Sequence, residues 1–449
     1  MSILRRKTLL RTVIAAGLVL GLAYGGSVYF FWRASTQEER DAIAEADRLD
    51  PGWRLEELEK KQPIIPDEEN GALAVLAAAN LWPVQQSSSQ QEFWAEGGIE
   101  QSIVDLSPEI QMNAKQQESL MKELGKALLA LQEARKLIGL SRGRFPPSGS
   151  REDGSAGLAC QESRRIATLL QLNSILQAQD NQADEALATA MAVLNTGRSI
   201  GDEPITISQL VRLSCESLAI RNAERVLAQG QPSEKTLNAT QQLFQDEAAQ
   251  TLLLFGTRGD RAVTFQRMTT LRTMFVPTSN LGGLFRLQTK CVEAAKAPAE
   301  EQLSRLQELK EEASKLDPLV ARSFPSHEKI ARSFLRNQAW LRCTCVALAT
   351  ERYRRSHGRW PNSFAFLVPE FLGEVPTDPY NGSPLKYRRL DDGVVIYSVG
   401  PDCQDNGGKL DRQNPTTEGT DIGFQLWDVV HRRQPWRQMV KEPKEDPEK

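Results

Sequence analysis

Three histidines and six cysteines are the residues from which nucleophilic, acid–base or soft-metal chemistry would be assembled in this chain of 449 residues. Their spacing builds none of the usual sites. His327-Glu328 begins like the helical zinc motif but has no second histidine one turn on. His357 follows Ser356 at a helix end, where a cation suits the helix dipole, and His431 stands beside a charged tail. Cys343-x-Cys345 sends its thiols to different helix faces, which disfavours a metal pair and a mutual disulfide, and Cys345 reads as core. Cys160, Cys215, Cys291 and Cys403 are scattered, so no pairing follows from the sequence. No nucleophile elbow, phosphate-binding lysine loop or dinucleotide fingerprint occurs. Glu300-Glu301 and Glu311-Glu312 fall on solvated helix faces. The chain therefore reads as a non-enzymatic protein. The enzymatic alternative is an uncharacterised hydrolase with carboxylates drawn from non-adjacent segments.

The bulk numbers narrow the class further. Hydrophobic residues are 40% and charged residues 25% of the chain, an ordinary globular balance. A net charge of -3 provides no field for nucleic acid. The mean hydropathy of -0.42 excludes a multi-span membrane protein. One segment stands apart: Thr12 to Trp32 carries no charge and follows Arg5, Arg6, Lys7 and Arg11. About 20 apolar residues suffice to cross a hydrocarbon core, the cations hold the preceding end in the cytoplasm, and Tyr24, Tyr29 and Trp32 suit the far interface. The expectation is a single-pass anchor in the cytoplasmic membrane with the bulk of the chain outside, where an oxidising environment would let cysteines pair. The rival is a cleaved signal peptide, for which Gly25-x-Ser27 makes a poor cleavage site.

The middle reads as helical hairpins. Long gaps separate Pro147, Pro204, Pro232 and Pro277, and helices usually stop before a proline. Ile166, Leu169, Leu170 and Leu176 form one stripe, and Leu187, Ala190, Met191 and Leu194 another, with Asp180-Asn181 as the turn. Leu210, Leu213, Leu218 and Ile220 follow, Gly230 stops the pattern, and Ser233 is the next N-cap. Ile110 to Ile138 and Cys291 to Leu316 are further helical patterns. Antiparallel hairpins are the simplest arrangement. A helical-repeat-like body is the alternative, although no second copy recurs at the roughly 34-residue tetratricopeptide period. Ser141–Gly157 reads as an exposed loop, and Phe275–Leu284 as a packed connection, with a lid or partner contact as its alternative.

From about Ser326 a helix runs to His357, and then the texture changes. Prolines cluster, and two strand-like runs, Leu385–Leu390 and Val394–Val399, flank the hairpin signal Asp392-Gly393. A third run is Ile422–Trp427. The order helix, HGRWPNSFAFLVPEFL, TDPYNGSPLKYR, VVIYSVGPD, DIGFQLW resembles the globular part of the type II secretion major pseudopilin over about 100 of the 449 residues. The matching positions are Trp360-Pro361, Asp378-Pro379-Tyr380, Tyr387, Tyr397, Ser398, Gly400, Asp402, Asp421, Ile422 and Trp427. The apolar N-terminal segment lacks that family's cleavage site and glutamate, so the module reads as a borrowed fold rather than a pilus subunit.

The resemblance implies a structural calcium site in the loop before the last strand. The motif carries Asp402 and Asp421 as ligands, and Ser398 through its carbonyl. Asp405 and Asp411 join them on chemistry alone, since Ca²⁺ takes six to eight oxygens. Gly407-Gly408 would let the backbone turn around an ion. The bland reading of the same run is a solvated Asp/Asn/Gly loop.

The sequence thus predicts a mainly α protein: an N-terminal transmembrane helix, an α-hairpin body and a small C-terminal α+β module with an antiparallel sheet. The expected boundaries are 1–33 for the tip and anchor, 34–325 for the helical domain, 326–431 for the module and 432–449 for a disordered tail. The expected function is that of an envelope-anchored scaffold or binding protein with envelope protein partners. The alternative is an accessory component of a type II-like secretion or pilus system.

Overall fold

The computed structural model describes residues 36–82, 98–146, 155–273, 281–315 and 327–436. They are mainly helical, with one small three-stranded antiparallel sheet. No helix among them is long and apolar enough to cross a membrane. That finding, made of the described residues, stands against the expected transmembrane helix and the single-pass cytoplasmic-membrane location drawn from it. The physical reason lies in composition: the longer helices carry charge through their middles, as with Arg212, Glu216, Arg221, Glu224 and Arg225 in Thr206–Gln229, and the hydrocarbon core tolerates little of that. Thr12 to Trp32 itself lies outside the described residues, as do 147–154 of the expected loop, 274–280 of the Phe275–Leu284 connection and 437–449 of the tail.

The chain forms two compact units. One comprises the described residues within Met1–Gln62, Thr257–Ala297 and Glu301–Lys329. Its core gathers on Trp53, fully buried with Ala42, Ala46, Ala262 and Phe285. The Trp53 ring stands edge-on to Phe265 and tilted against Phe285, each at 5.1 Å between centroids, a favourable aromatic geometry. Beside it the buried Asp50 accepts from Arg258 and Arg261 and lies 3.3 Å from the Lys296 ammonium.

The other unit comprises the described residues within Pro63–Gly256, Pro298–Glu300 and Ile330–Lys449. Its helical part is built on α1 (Ser155–Gln179), α2 (Ala183–Arg198), α3 (Thr206–Gln229) and α4 (Glu234–Ala248). The stripes bury as a 3.6-residue period requires: Ile166, Leu169 and Leu170 on α1, and Leu187, Ala190 and Leu194 on α2, are inside. Asn181 takes a left-handed φ of 63° in the α1–α2 turn, a conformation asparagine tolerates better than most residues. Ser233 caps α4, its hydroxyl accepting the Thr236 N–H at 3.3 Å. The Ile110–Ile138 pattern breaks into Ala114–Gly125, Leu128–Ala134 and a 3-10 turn. A capping box explains the late start: Asn113 accepts from the Gln116 N–H and Gln116 accepts from the Asn113 N–H. Upstream, Ile110 bridges to Gln434 instead.

Helix α5 (His327–His357) leads into the sheet of β1 (Lys386–Arg389), β2 (Gly393–Ser398) and β3 (Ile422–Trp427), in spatial order β1-β2-β3. Arg389 pairs with Val394 across the hairpin, and Ser398 with Ile422 at the far end. The central strand β2 is buried along its whole length. Its continuous apolar run, rather than an alternating one, fits a strand covered on both faces.

Candidate functional site

The residues singled out for calcium sit at the end of β2 and along the loop 399–421 up to the start of β3, and each already has protein partners. Ser398 donates its hydroxyl to Asp378 Oδ1 at 2.8 Å, and Asp378 also accepts the N–H groups of Val399 and Tyr380. Asp402 accepts from the Gln404 and Gly419 N–H groups and from the Asn406 amide. Asp405 accepts the Tyr397 hydroxyl and the Gly407 N–H. Asp411 closes its own turn on the Gln413 and Asn414 N–H groups. Asp421, almost fully buried, accepts from Gly408 and Asn406.

Asn406 draws Asp402 and Asp421 together, Asp405 turns to Tyr397, and Asp411 stands apart. Among the described residues no group of three His, Cys, Asp or Glu could hold a metal ion. In the structure the carboxylate oxygens of the loop accept mainly backbone N–H groups. Gly407 and Gly408 do turn at φ of 69° and 77°, and a Cβ on Gly408 would meet Val395 at 2.6 Å. The turn serves close packing against β2. The electrostatics follow from this placement. Burial raises the Asp421 carboxyl, backed by the charges of Asp405 and Asp402 and opposed by its two N–H donors. Asp402 is held low by its donors against a burial penalty, and Asp405 first of all by the Gly407 N–H.

The motif positions form a brace. Trp360 donates to Asp428 at 2.5 Å, and the Tyr387 hydroxyl donates to the Pro361 carbonyl at 2.8 Å. Asp378, a motif position not chosen as a ligand, is the hub that holds the end of β2.

Helix α3 meets this loop. Glu224 pairs with Arg412 at 2.9 Å and accepts the Gln425 N–H of β3 at 3.0 Å. Beside that contact opens a cleft of about 860 Å³, walled by Leu106, Ile220, Arg221, Arg225, Trp340 and Arg412, with Asp411 and Asp421 on its loop side. The Arg221 guanidinium lies 5.7 Å from the Trp340 ring centre, within cation–π range. Burial lowers Arg221, and it lowers Arg225 to about 10. Sequence reasoning missed these residues. The available signal was Arg221 and Arg225 at i and i+4 on one helix face; Trp340 comes from a helix more than a hundred residues away.

The groups that could act as nucleophiles or acids are quenched. All six cysteines are free thiols, five of them buried. Burial pushes Cys215 and Cys345 up to about 12, so neither is a thiolate. The exposed Cys403 is raised by partial burial and by Asp378 and Asp402. His357 stacks on Tyr353 at 4.0 Å at the end of α5. Glu216 and Glu247 make a carboxyl pair, each 1% exposed. Arg212 forks onto Glu247 at 2.6 and 2.7 Å, and Asn337 donates to Glu216 at 2.9 Å. Burial, then the adjacent Glu247 charge, raises Glu216 well above its ordinary 4.5. The pair is sealed among helices and lines neither this cleft nor the smaller one beside Trp360 and Arg389.

Compared with protein families, curated proteins and solved structures, the chain finds no match.

Proposed function

We propose that this chain is a non-enzymatic binding protein whose pseudopilin-like C-terminal module serves as a fixed wall of a recognition cleft. The observation that carries the reading is Glu224. One carboxylate of α3 engages Arg412 of the loop and the backbone of β3, so helix and module meet beside the cleft. The quenched thiols and the sealed acid pair support a binding role over hydrolysis. The partner is a protein. The sequence resemblance favours, as the second reading, an accessory role in a type II-like secretion or pilus system.

Photo-crosslinking in cells tests both. A crosslinker at Gln413, exposed on the cleft rim, is expected to give a discrete adduct that one at the exposed Lys122 does not. Identical adducts from the two positions, or none from Gln413, would overturn the binding reading. A secretion component as the captured protein would select the second one.

A further inference from the structure

The cleft is unbalanced in its hydrogen bonding. Arg225 is 6% exposed and gives its terminal nitrogens to the Leu106 and Ile110 carbonyls at 3.5 and 3.0 Å, yet its Nε has no partner. Arg221 makes one long bond, 3.4 Å to the Arg412 carbonyl, and its Nε is likewise unpartnered. Asn222, 1% exposed, has an unpartnered Nδ2. Arg336 approaches the same Trp340 ring at 5.9 Å, and its Nε is orphaned too.

The acids nearby are committed elsewhere. Glu224 serves Arg412 and Gln425, Asp105 takes the Gln101 amide at 2.8 Å, and Asp411 and Asp421 take backbone N–H groups. Glu109 acts on Arg225 only through its field, and Glu418 stands exposed at the rim. No carboxylate of the described residues lies within ion-pair distance of Arg221, Arg225 or Arg336. Unsatisfied buried groups cost stability, and a desolvated guanidinium without a counter-ion costs more. Among the side chains that line the cleft, the buried orphans are Arg221 Nε, Asn222 Nδ2 and Arg225 Nε, all donors, so what completes the cleft must be an acceptor with negative charge.

We propose that the cleft seats an oxyanion, carboxylate or phosphate, of its partner against Arg221 and Arg225 beside Trp340. Guanidinium forks match such planar or tetrahedral oxygens better than ammonium groups do, and closing the cleft on the anion supplies the charge its walls lack. The inference rests on the cleft being the recognition site.

Melting of the full-length chain tests it, with sodium phosphate or sodium acetate exchanged for sodium chloride at constant ionic strength. An anion that binds the folded state must raise the melting temperature. Phosphate is expected to raise it in a saturable way. Arg221→Gln, at a half-buried side chain with one weak bond, should melt no lower than wild type without phosphate, and should bind phosphate about tenfold more weakly. A response to phosphate but not acetate assigns the site to phosphate, and the reverse to carboxylate. Equal melting in phosphate, acetate and chloride, or an undiminished response in Arg221→Gln, overturns the proposal. A Gln413 adduct as strong in Arg221→Gln as in wild type would overturn the anion alone and leave the binding reading standing.

Discussion

The Arg412 guanidinium meets the Glu224 carboxylate at 2.9 Å, and that contact fastens the loop 399–421 to helix α3. Glu224 is buried and Arg412 is about a third exposed, which places the pair between the negligible surface bridge and the strongly coupled buried one. Burial works against the Arg412 charge, but the Glu224 carboxylate outweighs it and holds the guanidinium above its ordinary value. Arg412→Ala is expected to lower unfolding free energy by about 2 kcal/mol, read by urea denaturation. A change near zero would mean that the loop is held by other contacts.

The buried carboxyl pair predicts a pH dependence of stability. Because the folded pKa of Glu216 lies above the ordinary 4.5, the native state keeps a proton that the unfolded chain releases. That contribution is fully present below about pH 4.5 and is lost as pH rises toward the folded value, at about 1.4 kcal/mol per pH unit. Glu216→Gln mimics the protonated acid and still accepts from Asn337, so its stability should lack this decline and equal or exceed wild type near neutrality. A parallel pH profile in the two proteins would show that Glu216 is ionised in the fold.

In the other unit, Asp50 neutralises Arg258 and the fully buried Arg261. Burial would raise its carboxyl, but the Arg258 hydrogen bonds and charge, then those of Arg261, lower it to about 2. A depressed carboxylate stabilises above the unfolded value of 3.8 and loses that contribution as pH falls through 2. The loss amounts to about 2 kcal/mol. Asp50→Asn leaves Arg261 buried without a counter-charge and should cost about 3–5 kcal/mol, seen as loss of Trp53 burial in fluorescence. An intact Trp53 signal at unchanged denaturant midpoint would contradict it.

For the loop 399–421, adding Ca²⁺ or a chelator should leave the melting temperature unchanged, since Asp402 and Asp421 already accept backbone N–H groups. Asp378→Ala should lower it in both conditions by releasing Ser398 and the Val399 N–H, about 1–3 kcal/mol for a buried acceptor removed. A calcium-dependent rise abolished by Asp421→Ala would show that the loop rearranges around an ion.

What was legible in the sequence was local. The β1–β2 hairpin announced itself through Asp392-Gly393 between two short strand-like runs, α4 through Ser233, and the α1–α2 turn through Asp180-Asn181, because each depends on neighbours a few residues away. The break before Ala114 was hidden, since Ile110 satisfies a helical period yet pairs with Gln434 at the distant end of the chain. In the set Ser398, Asp402, Asp405, Asp411 and Asp421 the direction of each carboxylate follows from which N–H or O–H groups it accepts, and composition does not carry that. The cleft was least visible of all. Arg221, Trp340 and Arg412 are dispersed along the chain, and their meaning comes from Glu224 being already taken.

The most direct measurement is native-state hydrogen exchange across β2 and α3 of the full-length chain, since the module can form a fixed cleft wall only if sheet and helix open together. The buried amides of Gly393–Ser398 and those around Ala219–Val226 are expected to exchange with the same opening free energy and to shift together in Arg412→Ala. Exchange of the β2 amides through a separate, much less stable opening, unaffected by Arg412→Ala, would contradict it.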